Sequence, residues 1–274
     1  MKLFSLLSTS SLSPVWKYSA EHILWRVMFS EYGVIIGEDR NTESKTVSFF
    51  CLDSTTGKPL WQQKNFGEPW WIGLDAVKDG RLYLHGYRKP DMPEHKNIIA
   101  VDLKTGNVIW KNTDCTFLAI GTPFIYGYKD LFERRVYFRM DENTGIILDE
   151  LAILPDGVEP NIQYEKTDFL FPHQVTDNGS IAWHTASETK GMLNAESIEV
   201  SNTVILNVYS RNMPPAEGLK NTLSVIDTTT KKKVYSDVLN ESTPYPVPDS
   251  FFVEGERVYY IKERKTFVAV DLKH

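Results

Sequence analysis

Several features that commonly reveal a protein's function are missing from this chain of 274 residues. No stretch approaches the roughly 18 consecutive apolar residues that a membrane-spanning helix needs, so we expect no membrane span. The sequence has no glycine-rich phosphate loop, no Gly-x-Ser-x-Gly nucleophile turn and no zinc-finger spacing. Its longest basic run is Lys231-Lys232-Lys233 and its net charge is −6, a balance that argues against a nucleic-acid surface.

Cysteine is also scarce, with two residues in the whole chain, which argues against a disulfide framework. Cys51 lies in an apolar segment, residues 49–52, and is typical of a buried thiol. The apolar run within residues 1–8 is about five residues long, below the roughly 7–15 of an export signal. We therefore expect a cytoplasmic protein. The alternative is a periplasmic one, if that short run acts as an export signal.

The sequence does contain a repeated motif, in which Asp-x-x-Thr-Gly precedes a strand that carries tryptophan. Residues 53–61 (DSTTGKPLW) recur as residues 102–110 (DLKTGNVIW), and further copies begin at Asp141, Asp227 and Asp271. The successive Asp positions are 49, 39, 86 and 44 residues apart, and the third of these separations is about two periods. A period of roughly 44 residues is typical of a four-stranded propeller blade.

Each part of this motif has a structural explanation. The Asp side chain can accept the backbone N–H groups of the turn that follows, and Gly supplies the positive φ that closes the turn. Tryptophan on the next strand is a large planar residue suited to filling the space between neighbouring blades. Because the same turn recurs along the chain, we interpret these Asp residues as parts of the fold rather than as catalytic acids.

The repeat predicts an all-β chain that forms a single β-propeller domain over residues 1–274, with six four-stranded blades, or alternatively five or seven. The predicted blades are residues 22–66, 67–113, 114–155, 156–193, 194–240 and, for the sixth, 241–274 together with 10–19. The last copy of the repeat lacks its outer strand, whereas residues 13–18 (SPVWKY) read like residues 108–111 (VIWK). We therefore expect the N-terminal strand to pair into the C-terminal blade, closing the ring and removing a bare sheet edge.

Residues 100–110 (AVDLKTGNVIW) resemble the tryptophan-docking repeat of quinoprotein-type propellers, a group that includes alcohol dehydrogenases using pyrroloquinoline quinone (PQQ). The resemblance implies a propeller with PQQ-like repeats, and in size the chain is similar to a family of short bacterial propellers. Quinone-dependent members carry adjacent cysteines and a calcium-binding set of acid and amide residues. This chain has no Cys-Cys pair, so we expect no cofactor.

Two long segments predicted to join the second and third strands of their blades have similar compositions. The segments around residues 88–97 and 211–221 both show Tyr, Arg, Met-Pro, Glu and Lys-Asn in that order. The likeness can come from duplication alone or from a shared role in partner binding, since long loops on a rigid scaffold often carry function. The binding hypothesis points to Arg88, His95 and Arg211.

Two adjacent tryptophans, Trp70 and Trp71, lead into the second predicted blade. Neighbouring side chains in a strand point to opposite sides, so one ring can pack between blades while the other lines the mouth of the axial channel. Both rings can belong to the core, or Trp71 can offer a stacking surface to a sugar or a peptide.

Alignment of the innermost strands places Arg26, Glu196 and Asp249 at similar heights. We expect Arg26 and Asp249 to pair across the axial channel, as a structural salt bridge or as part of a polar ligand site. His173 and Asp75 lie near the same level. No metal-ligand spacing connects the histidines, which include His22, His85, His95, His173 and His184. We therefore expect no metal site.

These observations favour a non-catalytic binding or scaffold module, monomeric, that recognises a protein or carbohydrate partner on the face with the long loops. The alternative is a hydrolase- or lyase-type enzyme with a polar site at the axial channel. Its candidate groups are Arg26, His173, Glu196 and Asp249. Acid–base chemistry would need two of these groups held in unequal environments near one bond.

Overall fold

The computed structural model describes residues 12–88, 92–158, 168–175 and 192–273. Regular structure in these ranges is all β-strand and forms five antiparallel sheets. Within the same ranges, no helix has the length and the apolar character that crossing a membrane would require. The chain divides into two compact units, residues 20–167 and residues 1–19 with 168–274.

The unit of residues 20–167 contains three four-stranded sheets in its described part. The first sheet is built from β2 (Ile23–Ser30), β3 (Val34–Asn41), β4 (Thr46–Asp53) and β5 (Pro59–Lys64). The second sheet is built from β6 (Ile72–Lys78), β7 (Arg81–Tyr87), β8 (His95–Asp102) and β9 (Val108–Asn112). The third sheet is built from β10 (Thr116–Gly121), β11 (Phe124–Asp130), β12 (Arg135–Asp141) and β13 (Ile147–Leu151).

The other unit contains the remaining two sheets. The fourth sheet is built from β14 (His173–Gln174), β15 (Met192–Val200), β16 (Thr203–Arg211), β17 (Leu219–Asp227) and β18 (Lys232–Thr243). The fifth sheet is built from β19 (Phe251–Glu254), β20 (Arg257–Lys262), β21 (Thr266–Asp271) and, on the outer side of β21, β1 (Pro14–Ser19).

In every sheet each strand is hydrogen-bonded to its neighbours in sequence, apart from β1, and this meander is the topology of a propeller blade. The all-β prediction is confirmed, but the count of six blades is corrected to five sheets in the described residues. Most of the fourth predicted blade, residues 159–167 and 176–191, lies outside those residues. Its described part joins other sheets, because Leu170 bridges to Val253 and β14 pairs with β15.

The N-terminal strand lies beside the last strand of the chain. β1 pairs antiparallel with β21, with Trp16 opposite Ala269 and Lys17 opposite Val268. Trp16 is buried and its ring contacts Phe267 edge-on. The edge of β21 that the last repeat leaves without an outer strand is therefore paired, as the complementary ends of the sequence predict.

The Asp-x-x-Thr-Gly turns have the geometry that their residue types predict. Oδ1 of Asp102 accepts hydrogen bonds from the backbone N–H and the hydroxyl of Thr105, at 2.7 and 2.6 Å. The hydrogen bond from the Thr105 hydroxyl lowers the pKa of Asp102. Gly106, with φ of +67°, closes the turn. These contacts occupy the Asp carboxylate, which confirms its structural role.

Tryptophan from one sheet docks on the turn of the next sheet. Nε1–H of Trp61 donates to the Leu103 carbonyl at 2.9 Å, and its ring lies so close to Gly106 that a Cβ there would be 2.7 Å from it. Trp110 repeats this arrangement on the third sheet, where it donates to the Glu142 carbonyl at 3.0 Å. Glycine in this turn thus provides both the positive φ and the space for the indole.

Apolar residues fill the space between the sheets of each unit. One buried cluster combines residues of the first and second sheets, and another joins the second sheet to the third. Cys51 belongs to the first cluster and Cys115 to the second, both as free thiols whose burial raises their pKa to about 12. A third cluster joins the fourth and fifth sheets.

The double role of the turn glycine predicts unequal costs for two Gly→Ala changes. Gly80 has φ of +74° but open space around it, so Gly80→Ala should cost only the left-handed strain of about 1–2 kcal/mol. Gly106→Ala adds a clash with the Trp61 ring and should cost about 1–3 kcal/mol more. Urea denaturation of both variants measures the difference. Equal costs would show that the indole does not depend on the glycine.

Candidate functional site

The segment that leads into the second sheet is held by one carboxylate. Oε1 of Glu68 accepts the backbone N–H groups of Trp70 and Trp71, at 3.2 and 3.0 Å. The Trp71 carbonyl accepts the N–H of Tyr87 at 3.0 Å, and the Pro69 carbonyl accepts the N–H of Val47 at 2.7 Å. The two tryptophans therefore have a fixed backbone although they precede β6.

A buried ion pair in β3 also forms hydrogen bonds to the backbone of this segment. Nε of Arg40 donates to Oε2 of Glu38 at 2.7 Å, and both side chains are almost completely buried. The Arg40 guanidinium also donates to the Trp70 and Ile72 carbonyls, while Oε1 of Glu38 accepts the N–H of Leu74 at 2.9 Å. Two charged residues of β3 thus fix three backbone groups, one just before β6 and two within it.

The same segment borders an open cleft of about 630 Å³, which we call the tryptophan cleft. It is lined by Lys45, Glu68, Pro69, Trp70 and Trp71. The Arg40 guanidinium and the Lys45 ammonium each lie 5.0 Å from the centre of the Trp70 ring, within the range of cation–π attraction.

The two tryptophans line the same cleft, which corrects the expectation that they point to opposite sides. Alternation holds only within a strand, and β6 begins at Ile72, after both of them. Their rings lie edge to face, 6.5 Å apart, and Trp71 also contacts the Tyr87 ring at 6.2 Å. Both tryptophans are half-buried.

Next to Tyr87, three possible metal ligands converge on adjacent strands of the second sheet. Oδ1 of Asp75 lies 3.1 Å from Nδ1 of His85 and 3.2 Å from Nδ1 of His95. The two imidazole rings are stacked, with centres 3.4 Å apart and planes 7° from parallel. One ligand atom from each of the three residues can be chosen so that all lie within 4.8 Å of one another.

Two irregularities of the sheet bring these residues together. Asp75 is the extra residue of a bulge in β6, between the pairs Leu74–Leu84 and Ala76–Tyr83. A bulge lies at the same distance from the following hairpin in β10, where the extra residue is Leu118, and farther from it in β2 and β15, at Trp25 and Leu193. Among these bulges of the described residues, the one in β6 carries a carboxylate.

The second irregularity lies between β7 and β8. Two residues of β8, Asn97 and Ile98, stand opposite His85 alone, and Asn97 adopts a φ of +59°. The shift brings His95 opposite Tyr87, on the face that also carries His85. Without the extra residue His95 would turn to the other face, because a one-residue slip reverses a strand's side chains.

Several polar atoms of this cluster are left without hydrogen bonds. Both ring nitrogens of His85 and Oδ2 of Asp75 are buried and have no hydrogen-bond partner among the described residues. Burial acts to raise the pKa of Asp75, but the two histidines outweigh it and hold that pKa at about 2. The carboxylate is therefore charged at neutral pH.

The cluster corrects the expectation that the histidines are isolated. His85 and His95 share one carboxylate, although nothing in their ten-residue separation indicates it, because the contact depends on the bulge at Asn97. His22 lies 3.6 Å from Asp39, and His173 lies 3.4 Å from the Ser197 hydroxyl. His184 lies outside the described residues.

The other site residues predicted in this unit lie around the same end of the second sheet. Arg26 donates to the Leu74 carbonyl at 2.9 Å, next to Asp75. Arg88 pairs with Glu94 at 3.2 Å at the mouth of the β7–β8 connection. Trp71, Arg88 and His95 lie at the ends of β6, β7 and β8, whereas Asp75 lies within β6 and Arg26 within β2.

The remaining predicted residues belong to the other unit. Glu196 is buried and accepts hydrogen bonds from Gln174 at 2.9 Å and Asn207 at 3.3 Å. Burial raises its pKa, and the nearby charge of Asp249 acts in the same direction. Arg211 is exposed at the end of β16, opposite Leu219. The pairing of Arg26 with Asp249 stays a prediction.

Comparisons with known proteins identify no activity. A family model described as a domain of unknown function, DUF4905, matches residues 30–110, the range that contains the ion pair, the tryptophan cleft and the Asp75 cluster. No curated protein gives a significant match.

Solved structures similar to this chain are distant from it in sequence. BamB from Moraxella catarrhalis is 9% identical over 95% of this chain and 99% of its own, with a TM-score of 0.38. The β-propeller domain of Cps50 (Swd1) from Myceliophteria thermophila is 11% identical over 91% of this chain and 66% of its own, with a TM-score of 0.33. The β-propeller domain of the Trilobed protease from Pyrococcus furiosus is 10% identical over 89% and 64%, with a TM-score of 0.31.

Sequence reasoning missed the residues that support the site, Glu38, Arg40 and Lys45. One signal in the sequence is the charged run Glu38-Asp39-Arg40, which follows the apolar first residues of β3. Nothing in the sequence indicates that Arg40 reaches the Trp70 carbonyl, which is 30 residues away.

The buried ion pair predicts a non-additive response to mutation. Glu38→Leu leaves Arg40 buried without its acid and should lower the free energy of unfolding by about 3–5 kcal/mol. Glu38→Leu combined with Arg40→Met removes both charges and should be less destabilised than the single variant. Urea denaturation of both proteins measures this. A double variant that is less stable than the single one would contradict it.

Proposed function

We propose that this chain is a non-catalytic binding or scaffold module of the β-propeller type, and that it recognises a protein partner through the tryptophan cleft. The observation that carries the proposal is an open aromatic cleft that also holds a cation. Lys45 is exposed and has no acidic partner among the described residues. Tryptophan is enriched among the residues that anchor protein interfaces, and an exposed cation beside it favours a partner of opposite charge.

The cleft is preorganised, which favours binding. Glu68 holds the backbone of both tryptophans, and Arg40 holds the Trp70 carbonyl from the buried side. Lys45 lies in a turn fixed by Asn41, whose side chain accepts the N–H groups of Glu43 and Ser44 at 3.0 Å. A surface held in this way loses little conformational entropy when a partner binds.

The chemistry of the cleft favours a protein over a carbohydrate. A sugar needs an open aromatic face and hydrogen-bond acceptors for its hydroxyls. The Trp70 ring already has Arg40 and Lys45 near it, and Oε1 of Glu68 already accepts two backbone N–H groups. The exposed cation of the cleft, Lys45, and its aromatic rings suit a segment that carries acidic and aromatic side chains.

The connection between β7 and β8 extends this surface. Trp71 contacts Tyr87, and Arg88 follows Tyr87 with its backbone N–H donated to the Glu94 carbonyl at 2.8 Å.

Peptide selection tests the proposal. Peptides selected from a displayed random library against the full chain should be enriched in acidic and aromatic residues. Trp71→Ala and Lys45→Glu should each weaken their binding by about tenfold or more, since interface anchors contribute at least about 1.4 kcal/mol. Fluorescence anisotropy of the labelled peptides measures the affinities.

Two matched controls accompany these variants. Lys231→Glu reverses a charge at another exposed turn position with left-handed φ, and Phe132→Ala removes a fully exposed aromatic ring; both should leave affinity unchanged. Peptides whose binding survives Trp71→Ala and Lys45→Glu would contradict the proposal. So would glycan-array binding that depends on Trp71, because it would identify a carbohydrate as the ligand.

A further inference from the structure

We propose that Asp75, His85 and His95 bind a divalent transition-metal ion, with zinc as the metal that best fits the donor set. The inference is independent of the proposed partner binding, since it concerns side chains that do not line the tryptophan cleft. It rests on the convergence of three ligands, one carboxylate and two imidazoles, on their unsatisfied atoms and on the bulges of the sheet that bring them together.

The distances suit a shared ion. Two ligand atoms bound to a tetrahedral zinc at about 2.1 Å are about 3.4 Å apart. Oδ1 of Asp75 lies 3.1 and 3.2 Å from the Nδ1 atoms of His85 and His95. The ligand atoms of the three residues lie within 4.8 Å of one another, so small ring rotations would bring all three to coordination distance.

Several buried polar atoms of the cluster lack hydrogen bonds among the described residues. Native proteins leave few such groups. Here both nitrogens of His85 and Oδ2 of Asp75 make no hydrogen bond of good geometry with the described residues, although Nδ1 of His85 lies 3.1 Å from Oδ1 of Asp75. A bound cation would satisfy the carboxylate and one nitrogen of His85 together.

The donor set selects the class of metal. Imidazole nitrogen suits zinc, copper, iron and nickel, whereas magnesium and calcium prefer oxygen ligands. Two histidines and one carboxylate leave at least one coordination position for water. His95 has 35% of its side chain exposed, so the ion and its water could enter from that side.

The absence of a side chain at Gly73 leaves room for the His85 ring beside the Glu38 carboxylate. A Cβ on Gly73 would lie 3.0 Å from Nε2 of His85 and 3.4 Å from Oε1 of Glu38. Both groups therefore border the gap that this glycine leaves. Ligating histidines commonly direct their second nitrogen toward a carboxylate. The carboxylate that borders this gap is that of Glu38.

Metal titration tests the inference on the full chain, purified without a histidine tag and stripped of metal with a chelator. Calorimetry with ZnCl₂ should give one bound zinc per chain, and Co²⁺ should give visible absorption bands of a site with nitrogen ligands. Asp75→Asn and His95→Gln each remove a ligand. Each should weaken zinc binding beyond the roughly 10–100-fold that loss of an outer group costs.

His22→Gln is the matched control, because His22 faces the Asp39 carboxylate and belongs to no cluster of three ligands among the described residues. The zinc affinity of this variant should equal that of the unmutated chain. Zinc should also raise the unfolding temperature of the unmutated chain and of His22→Gln, but not that of the two ligand variants. Circular dichroism of the metal-free proteins checks that all of them fold.

Three results would overturn the inference. One is the absence of zinc binding by the unmutated chain at millimolar zinc. Another is binding that survives in both Asp75→Asn and His95→Gln. The third is binding that falls equally in His22→Gln, which would indicate scattered surface histidines rather than this cluster.

Discussion

The unit of residues 20–167 depends on the docking of a tryptophan onto the turn of the following sheet. Trp61 and Trp110 each combine an indole hydrogen bond to a backbone carbonyl with ring contact over a glycine. Each contact joins the outer strand of one sheet to the turn that precedes the outer strand of the next sheet, and these two sheets share no backbone ladder. In the third sheet, the last one among the described residues of this unit, the equivalent position is Asp149, which pairs with Arg139 instead.

Rigid docking of successive sheets allows polar groups to act between them. Arg40 of the first sheet can hold the Trp70 and Ile72 carbonyls only because the apolar cluster beneath keeps β3 and β6 in place. That buried support in turn fixes the open tryptophan cleft. The binding surface therefore depends on a core that itself consists of repeat residues.

The second sheet differs from the others in ways that concentrate chemistry at one end of it. Its bulge in β6 carries Asp75, and the additional bulge at Asn97 turns His95 to the face of His85. Neither feature disturbs the Asp-x-x-Thr-Gly turn at the other end of the sheet. The turn at one end of the sheet thus keeps its structural role while the opposite end carries residues that the other described sheets lack at this place.

The sequence by itself determined the strands, the turns and the pairing of the chain ends, because these depend on local alternation, on Gly at positive φ and on a motif spacing of roughly 44 residues. It also pointed to Trp71, Asp75 and His95, but not to their relation. Only the tertiary structure decided that the two tryptophans share a cleft and that Asp75, His85 and His95 meet. The physical reason is that a bulge changes the face on which the following side chains lie, and that Arg40 bonds to backbone groups 30 and 32 residues away. Neither effect gives a periodic pattern in the sequence.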